Sequence, residues 1–403
     1  MSTELTVIPQ GDPIDLASGR LYADACTHCG LCLESCPTYT LWGQEPDSPR
    51  GRIVQIEDAI ATGGSVSAEM VSHIDSCLGC MACVSACPEN VEYDELILRA
   101  RVAVRAQREL TVAQRVGRGL RSQTRARSGR VRALLGTRGV PRFAAAQGAT
   151  RGRVGLLLGC TQRAAYPGIH MATLGVLAAE GYEVIAPTLP ECCGAVDFHD
   201  GDHVHGAERA QATIDAFAAV GGVDHVVVSA GTCGAAMKRY GRLLNTARAR
   251  AFSALVIDVQ ELLSLEPQRA PLGALSLRVA YHDACQLRHG QGVEEAPREL
   301  LRRIPGLRLL ELSPEAGACC GGVGTYARTQ PEAASSLGNR QAQAIINTGA
   351  QIVASGDHAC LGQLSNALKQ LGHPLPVHHP LELLWSSVQA AQRSAPPSAS
   401  SVD

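Results

Sequence analysis

Two short runs of cysteine are the residues best suited to chemistry. One reads Cys26-Thr-His-Cys29-Gly-Leu-Cys32-Leu-Glu-Ser-Cys36-Pro37, the other Cys77-Leu-Gly-Cys80-Met-Ala-Cys83-Val-Ser-Ala-Cys87-Pro88. Both follow C-x2-C-x2-C-x3-C-P. That spacing lets three thiolates wrap one face of a [4Fe–4S] cubane, while the fourth, followed by proline, turns away to ligate a neighbouring cluster. The pattern assigns Cys26, Cys29, Cys32 and Cys87 to one cluster, and Cys77, Cys80, Cys83 and Cys36 to a second. Structural zinc normally uses two cysteine pairs with a longer spacer. Four thiols in eleven residues, present twice, argue against zinc and against inert thiols. Two such clusters carry single electrons between a donor and an acceptor, and nothing in this region binds a substrate.

The chain has 403 residues and sixteen Cys, so eight more need an account. They repeat. Cys160, Cys192, Cys193 and Cys233 match Cys285, Cys319, Cys320 and Cys360 at offsets of 125, 127, 127 and 127 residues. Each set opens after an apolar run, has Cys-Cys-Gly in the middle, and closes after a second apolar run. A repeat this long is a duplicated domain. Short β-branched runs such as 226–228 read as buried parallel strands, and Ala-rich stretches such as 205–220 and 332–348 read as helices. Strands alternating with helices imply an α/β layer with parallel pairing. The cysteines then fall at strand C-terminal ends, where open α/β sheets place their sites. Adjacent Cys can face one metal on a loop, where the following Gly frees the backbone to turn.

The expected architecture is therefore mixed. A mainly α-helical domain with two [4Fe–4S] clusters (1–98) precedes an Arg-rich helical linker (99–150). Two α/β Cys-Cys-Gly repeats follow (151–265 and 266–392), then a disordered tail (393–403) rich in Ser, Ala and Pro. Crossed ligation makes 37–76 a compact helical insert, with a turn at Asp47-Ser48-Pro49 leading into a helix. Arg50 and Arg52 in that insert have two readings, a place near a cluster where they tune its potential, or solvated surface, with surface the leading one. The Arg-rich linker reads as an interdomain connection with partner contact; docking on an anionic membrane face is the second reading.

Composition narrows the function. Net charge is −2 and aromatics are 3% of residues, which speaks against nucleic-acid binding. The start has no basic and apolar signal-peptide pattern, and no apolar run reaches the length of a spanning helix. The expected location is cytoplasmic, where clustered thiols stay reduced and bind metal.

Two ferredoxin-type runs followed by two Cys-Cys-Gly repeats resemble the iron–sulfur subunits of flavin-linked hydroxyacid dehydrogenases and heterodisulfide reductase subunits. Within that group the second repeat is most similar to the glycolate oxidase (glycolate dehydrogenase) iron–sulfur subunit. The residues are Asp283-Ala-Cys285-Gln-Leu-Arg288-His289-Gly-Gln291-Gly-Val293, Ile304-Pro-Gly-Leu, Cys319-Cys-Gly-Gly-Val-Gly-Thr325-Tyr326, Gln330-Pro-Glu332, Thr348-Gly-Ala, Ser355-Gly-Asp-His-Ala-Cys360 and Pro376-Val-His-His-Pro380. The resemblance implies partner subunits that carry FAD and oxidise glycolate to glyoxylate. It also implies electron transfer toward a quinone or membrane acceptor, with the chain peripheral on the cytoplasmic face of the inner membrane. The same layout serves lactate and anaerobic glycerol-3-phosphate oxidation, and heterodisulfide reductase-like subunits.

Reductase-type repeats end in Cys-x-x-Cys. Here the first member is missing, with Ala at 230 and Asp at 357. Four cysteines per repeat remain. They fit an iron–sulfur cluster, a zinc or vestigial site, or a redox-active thiol site, so one or two further clusters are candidates. His199, His203, His205, His282, His289 and His358 lie near these cysteines as candidate ligands or proton relays. The sequence carries no G-x-G-x-x-G opening a helix after a strand, so flavin and substrate are expected on partner chains.

Overall fold

The structure, a computed structural model, describes residues 16–107, 140–188, 192–314 and 319–394. The expected tail falls almost wholly on 395–403, outside the described residues, as does the Arg-rich stretch 108–139.

The N-terminal part is helical. Four helices matter here: α1 (Pro37–Trp42), α2 (Pro49–Ala61), α3 (Ala68–Ser76) and α4 (Tyr93–Gln107). Proline sits in the first turn of α1 and α2, where its missing N–H costs nothing. Ser48 Oγ accepts from Gly51 N at 2.9 Å and Ser67 Oγ from Met70 N at 3.0 Å, capping α2 and α3. Residues 37–76 thus form the expected helical insert. Its core packs Ile53, Ile56 and Ile74 against Leu96 and Ile97 of α4. That helix runs through the boundary drawn at 98, so Arg99 and Arg101 belong to the helical domain's own packing.

The rest forms two sheets. The first contains β1 (Phe143–Ala144), β2 (Gly152–Leu156), β3 (Tyr182–Ile185), β4 (His225–Val228) and β5 (Val256–Asp258), in the order β1-β3-β2-β4-β5. The second contains β6 (Arg278–His282), β7 (Arg308–Glu311), β8 (Ile352–Ser355) and β9 (Val377–His378), in the order β7-β6-β8-β9. Apart from antiparallel β1, all pairing is parallel, and β2–β5 and β6–β9 share one topology. The duplication read from cysteine spacing is a duplication of fold.

Helices begin where strands end. α5 (Cys160–Ala165) and α6 (Pro167–Ala179) follow β2, α7 (His203–Val220) precedes β4, and α8 (Gly231–Lys238) and α9 (Val259–Leu265) follow β4 and β5. In the second repeat, α10 (Cys285–Gln291) and α11 (Glu295–Arg302) follow β6. α12 (Pro331–Asn347) precedes β8, while α13 (His358–Gln370) and α14 (Pro380–Ser394) follow β8 and β9.

The closing helix of each repeat packs on the other repeat: α14 on α6, and α9 on α11. Gly175 of α6 makes the first contact possible, since a Cβ there would lie 2.7 Å from the Trp385 ring. One apolar core joins Val154 and Leu156 to Val279, Tyr281, Leu301 and Leu381. Burial of such a shared core in water-excluding contact stabilises the repeats together. Among the described residues no helix is long and apolar enough to cross a membrane.

Candidate metal centres

The eight N-terminal thiols sort into two cradles. Cys26, Cys29, Cys32 and Cys87 line one cavity, and Cys36, Cys77, Cys80 and Cys83 line another. Each set takes its fourth cysteine from the other run, which is the crossed arrangement expected from the Cys-Pro endings. Cys83, Pro49 and Tyr93 border both cavities and separate them by a single wall. The backbone repeats as well. His28 and Gly30 flank Cys29 with φ of 54° and 84°, and Gly79 and Met81 flank Cys80 with φ of 64° and 65°. Left-handed residues beside a thiolate aim backbone N–H groups into a concavity that favours negative charge, as an iron–sulfur cluster requires. Cys29 is exposed, whereas Cys36, Cys77, Cys80 and Cys83 are buried. The first cradle therefore faces solvent and the second lies inside.

Arg52 corrects the sequence reading. Its side chain is 1% exposed, not solvated. Nε donates to the His73 carbonyl at 2.6 Å, and Nη2 to Thr38 Oγ1 at 3.0 Å and Ser76 Oγ at 2.8 Å. Asp47 stands 3.6 Å away as counter-charge. Helical spacing carried the signal: Arg52 shares a face with Pro49 and Ile56, both buried. Arg50 is half-buried and donates to Glu45 Oε1 at 2.7 Å and to the His28 carbonyl at 3.1 Å. Burial pushes the Cys80 and Cys83 thiols well up. Burial opposes the Cys77 thiolate too, but Arg52 and Arg101 outweigh it and hold that thiol below its ordinary value.

Three successive carbonyls of the second run are held from three directions. Cys77 O accepts from Arg101 Nη2 at 2.6 Å, Leu78 O from His199 Nε2 at 2.9 Å, and Gly79 O from Gln286 Nε2 at 2.6 Å. The donors come from α4, the first repeat and the second repeat. Burial, then Arg101, pushes the His199 imidazole down, and its Nδ1 lies 3.4 Å from Asp200 Oδ1. Arg101, His199 and Gln286 were not singled out for this role by their spacing, because the contacts are long-range.

Each repeat gathers its four cysteines. In the first, thiol contacts run Cys160 to Cys192, Cys192 to Cys193, and Cys193 to Cys233. In the second, Cys285 Sγ lies 3.7 Å from Cys319 Sγ, and the line continues through Cys320 to Cys360. Gly194 and Gly321, after the paired cysteines, have φ of 76° and 81°, the turn that puts neighbouring thiols on one side. Hydrogen bonding to a neighbouring thiol, then burial, pushes Cys160 and Cys285 well up. Such thiol groups fit a cation that offsets several thiolate charges at once. Position 357 does not extend the sulfur set. The Asp357 carboxylate accepts from Thr232 N at 2.6 Å and Ala359 N at 2.8 Å, linking the first repeat to the second.

The candidate histidines divide. His282 lies with Cys320 and Cys360, their ligand atoms all within 4.8 Å of one another. His199 serves the Leu78 carbonyl, and His289 Nδ1 pairs with Ser85 Oγ at 2.8 Å. His205 pairs with Asp202, His203 packs on Phe198, and His358 packs near Tyr166.

Comparison with known proteins agrees with this geometry. Residues 22–91 match the model of the 4Fe-4S dicluster domain, and 154–238 and 279–365 match that of the cysteine-rich domain. The chain is 33% identical over 368 residues to the glycolate oxidase iron–sulfur subunit of Escherichia coli, covering 85% of this chain and 90% of that one. The chain belongs to the glycolate oxidase iron–sulfur subunit family. A second member of that family, the probable glycolate oxidase iron–sulfur subunit of Bacillus subtilis, is 30% identical, covering 86% of this chain and 89% of that one. Lactate utilization protein A of Exiguobacterium sp. is 27% identical over 244 residues, covering 59% of this chain and 99% of that one. This family member is an electron-transfer iron–sulfur subunit of an oxidoreductase complex, and it carries two [4Fe–4S] clusters.

Proposed function

We propose that this subunit serves a complex that oxidises glycolate to glyoxylate. It takes electrons from a partner subunit that carries FAD and passes them toward a quinone-type acceptor. In this reading Cys26, Cys29, Cys32 and Cys87 hold one [4Fe–4S] cluster, and Cys77, Cys80, Cys83 and Cys36 the other. The repeats hold further iron–sulfur centres. The protein works in the cytoplasm, peripheral to the inner membrane.

One observation carries the electron-transfer path. Cys80 packs in one buried apolar core with Cys285 and Cys319 of the second repeat. A line of sulfur sites then runs from exposed Cys29, across the wall at Cys83, through Cys80, to Cys285. The bound clusters supply the one-electron chemistry. The protein's own residues hold the sites close, exclude water from the second, and orient its backbone through Arg101, His199 and Gln286. The relatives named for glycolate oxidase support the substrate assignment.

The test is co-purification from the host together with single variants. A flavoprotein should accompany the chain. Cys29→Ser and Cys80→Ser should each stop electron delivery to a quinone, while direct dye reduction by the flavin subunit persists. The reading fails if no flavoprotein is recovered, or if deletion of the chain leaves glycolate-dependent quinone reduction unchanged.

A further inference from the structure

The two repeats share a topology but not a ligand environment. By the repeat offsets of 125 and 127 residues, Leu157, just past β2, and Val228 of β4 stand where His282 of β6 and Ser355 of β8 stand in the second repeat. Leu157 and Val228 are buried in the apolar cluster that holds Cys193 and Cys233. Around the first set of thiols the strand ends are therefore hydrocarbon. Around the second they are an imidazole and a hydroxyl.

His282 is 2% exposed, at the end of a central strand. A buried imidazole needs partners, and one nitrogen has its own: Nδ1 lies 3.1 Å from Ser355 Oγ. With Nδ1 committed, the nitrogen left for a metal is Nε2. The ring shares its space with Cys320 and Cys360, whose ligand atoms lie within 4.8 Å of its own and of each other. A metal-binding imidazole is usually fixed through its other nitrogen in this way, which sets tautomer and orientation together. The second repeat thus offers five donors: Cys285, Cys319, Cys320, Cys360 and His282. Asp357 is not gathered with His282, Cys320 and Cys360, and its carboxylate accepts from backbone N–H groups of both repeats.

We propose that His282 ligates the iron–sulfur centre of the second repeat, making it a mixed thiolate–imidazole site, whereas the first repeat is held by thiolates alone. This rests on the electron-transfer reading above. A neutral imidazole adds no negative charge, and imidazole ligation raises the potential of an iron–sulfur centre relative to thiolate. The second repeat then accepts electrons more readily than the first. It is also the one that packs on Cys80.

The test uses the full chain, isolated anaerobically with its partners and grown with 15N-histidine. Wild type should hold iron beyond the roughly eight atoms of two cubanes. One reduced signal should show histidine nitrogen coupling by pulsed EPR. His282→Ala should lose that extra iron in part and the coupling entirely. His282→Cys should keep the iron, lose the coupling and titrate at lower potential. Leu157→Ala, the matching change in the first repeat, should leave the coupled signal intact. No nitrogen coupling in wild type overturns the proposal, as does a His282→Ala protein with unchanged iron and spectrum, or zinc in place of the extra iron. The wild-type measurement decides even if a variant fails to fold. The ferredoxin-type signals are read in the same samples. Their failure to reduce sinks the electron-transfer reading, whereas a defect confined to the second repeat bears on His282 alone.

Discussion

Gln286 Nε2 donates to the Gly79 carbonyl at 2.6 Å, fastening the second repeat to the backbone loop of the second cysteine run. Gln286 follows Cys285 and Gly79 precedes Cys80, so one hydrogen bond spans the two sulfur sites. Gln286→Leu removes the donor and leaves the carbonyl to be satisfied elsewhere. The expected loss is about 1 kcal/mol of stability. The potential of the second cluster should shift with no change in iron content. Redox titration followed by EPR, alongside denaturant unfolding, checks both.

Arg52 is a buried cation of α2 whose partners lie on α1 (Thr38), on α3 (His73 and Ser76) and at Asp47 just before α2. Arg52→Met leaves Asp47 buried beside His73 and Ser76 without its guanidinium. Breaking a buried pair from one side costs about 3–5 kcal/mol. The second cluster should also become harder to reduce, since a positive charge near Cys77 is lost. Arg52→Lys should recover most of the potential but less of the stability, because lysine cannot donate in the same fork. Calorimetry and redox titration separate the two effects.

Exposure should set the order of metal loss. Cys29 is open to solvent, while the four thiols of the second cradle are buried. Under a chelator and mild oxidant, the first cluster should bleach before the second. Iron release timed against EPR of re-reduced samples would show a single simultaneous loss if this is wrong.

The repeats should unfold as one unit. Gly175→Val drives a side chain into the Trp385 ring across the α6–α14 contact. Overpacking of this kind costs about 1–3 kcal/mol. Thermal unfolding should show one transition, lowered for both repeats, rather than a first-repeat transition that moves alone.

Acid should destabilise the fold before carboxylates titrate. His170 and His379 are fully buried, and burial pushes both imidazoles down to about 4. Between the ordinary histidine pKa of about 6.5 and the folded value, the unfolded chain binds the extra protons. Stability is therefore present above that window and lost as pH falls through it, by about 1.4 kcal/mol per pH unit per group at most. Urea midpoints at pH 7 and pH 5 should differ in that sense. His170→Leu should flatten the slope; an unchanged slope would show that His170 does not contribute.

Local spacing determined much of this protein. The two cysteine runs show their crossed cradles because ligation by neighbouring thiols and a following proline is a short-range constraint. The repeat offsets show the duplicated α/β fold because strand and helix periods are local as well. The structure bore out the helical insert at 37–76, the parallel sheets and the left-handed glycines after Cys193 and Cys320. Only the tertiary structure decided what lies beside what. It buried Arg52, set His199 and Gln286 on the carbonyls of the second run, brought Cys285 to Cys80, and exchanged closing helices between repeats. It also separated His282 from the other histidines near cysteine. Each of these depends on contacts between segments up to about two hundred residues apart, which residue type and spacing along the chain do not encode.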